Sequence, residues 1–278
     1  MMNILIPTDF SENSWNAIVY GLLFFKNIQC RFYILHVSGY EKTDNATVSH
    51  PKNNFLDQIM KNDKEKLQRL LDRIEQLPIN NNHRFFTSND YIFFIDSIKK
   101  QIEEKSIDFI VMGSRGGSGH KKITVGSNTA DVITKVKCPV MVIPEKAVYK
   151  KPREIAFPTD YNLQYKDRVL HTIAKVLQIN DAALRVLHIA RKKQELSKLQ
   201  KENRRFLHAY LHKASDLSFH FLSNSNIEEA MQSFVESSHI DMITMVAKNL
   251  NFFQHILFYP TIEKINYHTH VPFLVVHE

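Results

Sequence analysis

Glycine is scarce in this 278-residue chain, seven in all, and five of the seven fall between Gly113 and Gly126. Gly113 follows the apolar stretch Phe109 to Met112. Gly116, Gly117 and Gly119 come within the next turn, and Gly126-Ser127 opens a stretch of helical period. A strand, a loop poor in Cβ atoms and a helix start are the parts needed to wrap backbone N–H groups around phosphate oxygens. Glycine suits the task because a Cβ would obstruct the approach of the backbone and disfavour positive φ angles. Ser127 adds a hydroxyl donor at the helix start, and Arg115, His120, Lys121 and Lys122 bring positive charge. The chemistry indicated is the binding of a phosphorylated ligand. Other phosphate signatures are missing: there is no Gly-Lys-Ser/Thr loop, and no GxGxxG follows the first apolar stretch.

These residues belong to a chain that is written twice. NILIPTDFSENSWNAI near the start returns as EIAFPTDYNLQYKDRV from Glu154, and the apolar run ending Leu35-His36-Val37 returns ending Leu187-His188-Ile189. Residues 108–145 align without a gap on residues 241–278. In each copy short apolar runs alternate with longer stretches of helical period, the pattern of a parallel sheet with crossover helices. In the first copy strands are predicted at about Asn3 to Ile6, Arg31 to Val37, His83 to Thr87, Phe109 to Gly113 and Val140 to Ile143. Helices are predicted over Ser11 to Phe25, Phe55 to Leu77, Tyr91 to Lys105 and Ser127 to Val136. Gly39 to Asn54 reads as a long polar loop. The stretch Glu145 to Arg153 is polar and contains Pro152, so the boundary is expected there, with domains at 1–146 and 153–278.

The spacing Gly113-x2-Gly116-x9-Gly126-Ser127 resembles the nucleotide-binding signature of the universal stress protein family. The resemblance extends to the opening IPTDFSENSWNAI, to Leu35-His36-Val37 and to Cys138-Pro-Val-Met-Val-Ile-Pro144, all in the family's order and covering the first copy throughout. It implies two tandem five-stranded parallel-sheet α/β domains of Rossmann-like, adenine nucleotide alpha hydrolase-like type, forming a pseudo-dimer through their last strands. It also implies an adenine nucleotide, ATP or a relative, alone or with Mg²⁺. Asp9, with Pro7 and Thr8 at the end of the first strand, matches the position that contacts adenine or ribose. Val37 matches one that lines the adenine pocket. Gly113, Gly116, Gly126 and Ser127 match the phosphate loop. Met112, Arg115 and Asn128 adjoin these positions and complete the candidate set. Ligands of open parallel sheets bind beyond the carboxyl ends of the strands, which agrees with this placement. Capping of the first helix is the competing role for Asp9.

The second copy departs from the motif. Gly113 becomes Val246, Gly116 becomes Asn249, Gly126 becomes Tyr259 and Ser127 becomes Pro260, and residues 153–278 contain no glycine. A β-branched Val and a bulky Tyr cannot form a phosphate cradle, and Pro260 has no N–H. One nucleotide per chain is therefore expected, although Asp160 persists. An apolar cluster from Leu250 to Tyr259 stands where the loop was, as core, cover or partner surface.

Ten of the fourteen histidines lie in the second copy, but His208 with His212, and His268 with His270, supply two ligands each and no complete metal site. Cys30 and Cys138 form no CxxC spacing and suit a reducing compartment. The formal charge is +7, spread evenly over both copies, which gives no basic arm and no expectation of nucleic-acid binding. The densest basic stretch, Arg191 to Arg205, reads as an exposed helix face. The start MMNILIPTDF does not read as a signal peptide, and no apolar run approaches the roughly 20 residues of a membrane span, so a cytoplasmic protein is expected. The leading expectation is a stress-response binding or signalling module, with pairing between the copies, possible self-association into a homo-oligomer and protein partners left open. No catalytic base or metal-binding carboxylate pair stands beside the loop. The alternatives are a slow ATPase or phosphotransferase, and a nucleotide-free adaptor.

Overall fold

The computed structural model describes residues 1–38, 53–78, 80, 82–114, 125–190, 195–224, 226–249 and 270–278. The first copy runs β1 (Met2–Pro7), α1 (Glu12–Phe24), β2 (Cys30–Val37), α2 (Asn53–Glu75), β3 (Arg84–Asp90), α3 (Phe94–Lys105), β4 (Phe109–Gly113), α4 (Ser127–Lys135) and β5 (Val140–Ile143). The second runs β6 (Glu154–Pro158), α5 (Asp167–Asn180), β7 (Ala183–Ala190), α6 (Lys198–Leu211), β8 (Leu217–Ser223), α7 (Ile227–Ser237), β9 (Met242–Val246) and β10 (Phe273–Val276). Expected and observed elements agree in kind and order. The bounds differ by up to three residues, as where α3 begins at Phe94 instead of Tyr91.

The strands form one ten-stranded sheet in the order β3-β2-β1-β4-β5-β10-β9-β6-β7-β8. Every pairing is parallel except the central one, where β5 and β10 run antiparallel, with Met141 opposite Leu274. The implied pseudo-dimer is thus a continuous sheet, and its seam is fully buried: Val140, Met141, Val142, Leu274 and Val275 are 0% exposed. The central strands β4, β5, β9 and β10 are buried at every residue, as strands covered on both faces must be. Helices α1, α2, α5 and α6 pack on one face, around Ala17, Ile18, Leu67, Ile74, Val169 and Leu207. Helices α3, α4 and α7 pack on the other, around Ile98, Val132, Ile133 and Met231.

Local signals set the helix ends. Ser11 caps α1, accepting from Ser14 N at 3.2 Å, and Ser197 with Gln200 forms a reciprocal capping box on α6. The duplicate aspartates Asp108 and Asp241 anchor equivalent strand starts: Asp108 accepts from Asn3 N, and Asp241 from Arg153 N and Glu154 N. The polar connection between the copies is strapped down. Asn16 Nδ2 donates to Pro144 O and Ala147 O, Tyr149 meets Tyr20 edge-on, and Lys150 pairs with Asp241 at 2.8 Å.

Candidate functional site

Strand order places β2, β1 and β4 side by side, so Val37, the turn after β1 and Gly113 meet at one rim of the sheet. Pro7 and Thr8 are buried beneath this rim, Val37 is half-buried and Asp9 is exposed. Asp9 Oδ1 accepts from Ser11 N at 3.1 Å and Ser11 Oγ at 2.5 Å, a turn that fixes the carboxylate just before the cap of α1. Ser11, rather than Asp9, is the N-cap. Phe10 takes the left-handed conformation, φ 63°, which costs a non-glycine residue about 1 kcal/mol. Its N–H donates to Thr8 Oγ1 at 3.1 Å, and its ring packs 4.4 Å from His36, whose Nδ1 donates to Thr8 O at 2.8 Å. On the α1–α2 side of this turn lies a small cleft of about 200 Å³, reached by Lys66, Arg69 and Arg73.

At the neighbouring strand end the need for glycine is spatial. No glycine among the described residues takes a positive φ, and Gly126 has φ −64°, so the expected conformational reason does not operate there. A Cβ on Gly113 would instead stand 2.8 Å from Asn13 Nδ2. Thr129 Oγ1 donates to Gly113 O at 2.9 Å, and Gly126 N donates to Ser114 O at 2.7 Å. These two bonds clasp the end of β4 to the start of α4. Helix α4 begins there with Gly126 as its N-cap and no side-chain cap bond, and Ser127 and Asn128 are exposed. A helix start with no side-chain cap among the described residues presents N–H donors and about half a positive charge, a receptor for an anion. Met112 is 5% exposed and packs in the core on the α3–α4 side. Arg115 and Gly116 lie outside the described residues, as do Gly117, Gly119, His120, Lys121, Lys122 and residues 39–52.

The second copy repeats the turn but closes it. Tyr161, φ 57°, donates its N–H to Thr159 Oγ1, and His188 Nδ1 donates to Thr159 O. Here α6 clamps down: Gln200 Nε2 donates to Asp160 O and Asn203 Nδ2 to Tyr161 O, both at 2.8 Å. His188 is held between Tyr161 and Phe221, at ring distances of 5.1 and 5.3 Å. In consequence Tyr161 is 2% and His188 7% exposed, where Phe10 and His36 are half-buried, and burial pushes the Tyr161 hydroxyl pKa up. Val246 fills the place of Gly113 and leads into a 3₁₀ turn, Ala247–Asn249. The apolar cluster from Leu250, with Pro260 and His268, lies outside the described residues.

Phe10, His36, Asn13 and Thr129 are the rim residues that motif spacing did not single out. The Leu-His-aliphatic strand end and the aromatic after Thr-Asp, present in both copies, were the available signals. His208 and His212 stack parallel, 5.3 Å apart, and no group of three potential metal ligands occurs among the described residues.

Fold and site define an α/β protein of Rossmann-like architecture, duplicated, with the turn after the first strand half-buried in one copy and buried in the other. The profile of the universal stress protein family matches residues 1–144, and the chain belongs to that family. Universal stress protein MJ0577 of Methanocaldococcus jannaschii is 29% identical over 161 residues, 51% of this chain and 94% of its own. Universal stress protein MJ0531 of the same organism is 27% identical, over 54% of this chain and 83% of its own. A universal stress protein from Archaeoglobus fulgidus shares the fold over 99% of this chain and 98% of its own, with a TM-score of 0.68 at 20% identity. No described helix is long and apolar enough to cross a membrane.

Proposed function

We propose that the first copy, residues 1–146, binds one adenine nucleotide, and that the second, residues 153–278, is a degenerate copy kept for pairing or regulation. The carrying observation is the asymmetry of the two rims. In one, an α4 start with no side-chain cap among the described residues and the Gly113 strand end stand beside an exposed Asp9; in the other, Val246, Gln200 and Asn203 close the equivalent ground. On this reading Val37 and Asp9 meet the nucleoside, and Gly113, Gly126, Ser127 and Asn128 meet the phosphates, with Arg115 and Gly116 completing the loop. ATP is the form the family resemblance favours. The described rim supplies hydrogen-bond donors and one carboxylate already engaged by Ser11, which supports a stress-responsive binding module over a hydrolase. The buried free thiols Cys30 and Cys138, each pushed up to about 12 by burial, suit the cytoplasm.

The test is to denature freshly purified protein and quantify the nucleotide released. One equivalent of adenine nucleotide per chain is expected. Two equivalents, or none from protein whose melting temperature ATP also leaves unmoved, would overturn the reading. Melts with and without EDTA show whether Mg²⁺ accompanies the nucleotide.

A further inference from the structure

The outer end of the second copy carries a groove that the nucleotide reading does not use. Strand β8 is last in the sheet and pairs on one side, with β7. Leu184 N donates to Asp216 O and Asn224 N donates to Ala190 O, so the even-numbered residues here turn their main-chain groups toward β7. Successive strand residues alternate, so Leu217, Phe219, Phe221 and Ser223 turn their N–H and C=O groups outward. Among the described residues no strand pairs with that edge.

Helix α6 brings Lys201, Arg204, Arg205 and His208 together with Phe219 around a groove of about 650 Å³. The Arg204 guanidinium lies 4.7 Å over the Phe219 ring, and the His208 ring stands 5.9 Å from it. Lys201 pairs with Glu195 at 3.5 Å, whereas no carboxylate among the described residues pairs with Arg204 or Arg205. Positive charge therefore roofs an open strand edge. Charges near an edge can also serve to repel other strands, but such guards project into solvent. Arg204, although exposed, is held over the Phe219 ring that lines the groove.

We propose that β8 and α6 form a docking site for an acidic, extended segment of a partner protein, added to the sheet beside β8. Its main chain would pair with the outward groups of Leu217, Phe219, Phe221 and Ser223. Alternate carboxylates would meet Arg204 and Arg205 in charge-assisted, fork-like hydrogen bonds. Nucleic acid fits the groove less well. The Phe219 face on which a base would stack is covered by Arg204, and the basic flank belongs to a helix about 21 Å long, with exposed Glu195 and Asp216 beside it.

The test uses the whole chain and fluorescence anisotropy of a labelled seven-residue peptide alternating glutamate and threonine. Two further peptides carry N-methyl groups on one or the other alternate set of amides, and a fourth replaces glutamate by lysine. The glutamate peptide is expected to bind, at least one methylated peptide to lose binding, and the lysine peptide to fail. Arg204→Glu with Arg205→Glu should weaken binding by about tenfold or more, with melting temperature and released nucleotide unchanged. The proposal is overturned if the glutamate peptide does not bind at millimolar concentration. It is equally overturned if both methylated peptides bind like the parent, if the double variant binds like wild type, or if an oligothymidylate of equal charge binds more tightly at the same salt.

Discussion

Gly113 and Asn13 divide one small space between them. With a Cβ at Gly113 only 2.8 Å from Asn13 Nδ2, and the backbone held by Thr129, the asparagine side chain is what must give way. Gly113→Ala is expected to cost about 1–3 kcal/mol through overpacking. Adding Asn13→Ala should recover most of that loss, so urea denaturation of the four-member cycle should show a coupling of about 1 kcal/mol; purely additive costs would contradict the packing. The second copy has already made the paired change, with Val246 buried and Gln164, the counterpart of Asn13, turned out to solvent. Thr129 is 2% exposed, and its hydroxyl bond to Gly113 O fixes the strand end against the helix. Thr129→Val should cost about 1 kcal/mol and shrink the ATP-induced rise in melting temperature. A variant that melts earlier yet keeps the full ATP shift would separate that residue from the cradle.

At the scale of elements, the seam between β5 and β10 decides what a single copy can do alone. Val140 and Val142 are wholly buried because β10 covers that side of β5. Residues 1–150 expressed alone would expose a short apolar edge, and edges of that kind find partners. Such a fragment should therefore run as a dimer joined β5 to β5, with a two-copy mass by light scattering, while the full chain needs no second copy at this seam. A monomeric fragment with native circular dichroism would count against it. The seam was legible beforehand because the two copies end in matching apolar strands and duplication supplied each with a partner. So were the strand end at Gly113 and the helix start at Ser127, since these are local features with local signatures. The closing of the second rim was not. Gln200 and Asn203 act across about 40 residues of chain on Asp160 and Tyr161, and in sequence they are two polar residues on an amphipathic helix. Asn13 was hidden for the same reason: only the fold brings it to Gly113.

Across the whole molecule, the second copy touches α4, the helix that begins at Ser127 in the first. His277, just beyond β10, donates from Nε2 to Ile133 O in the last turn of α4, at 2.7 Å, and its Nδ1 has no hydrogen-bond partner among the described residues. Burial holds the His277 pKa below its usual value and outweighs the hydrogen bond to Ile133 and the weaker pull of the Cys138 main chain; Arg168 of α5 lowers it further. Protonation would place a second, unpaired N–H⁺ in the seam. The unfolded chain takes up this proton near pH 6.5 while the folded chain resists it, so between that pH and the lower folded value the unfolded state binds more protons. The stability contributed by neutral His277 is complete above about pH 6.5 and is lost as pH falls through the folded pKa. His83 and His220, also lowered by burial, act in the same direction, so wild type alone cannot assign the effect. His277→Gln keeps a donor for Ile133 O but cannot titrate. Between pH 7.5 and 5.5, urea denaturation should show wild type losing about 1 kcal/mol more than this variant, within the 1.36 kcal/mol per pH unit that one proton allows. Parallel pH profiles would mean that His277 is protonated in the folded seam after all, and that α4 and the second copy are joined by a contact indifferent to acid.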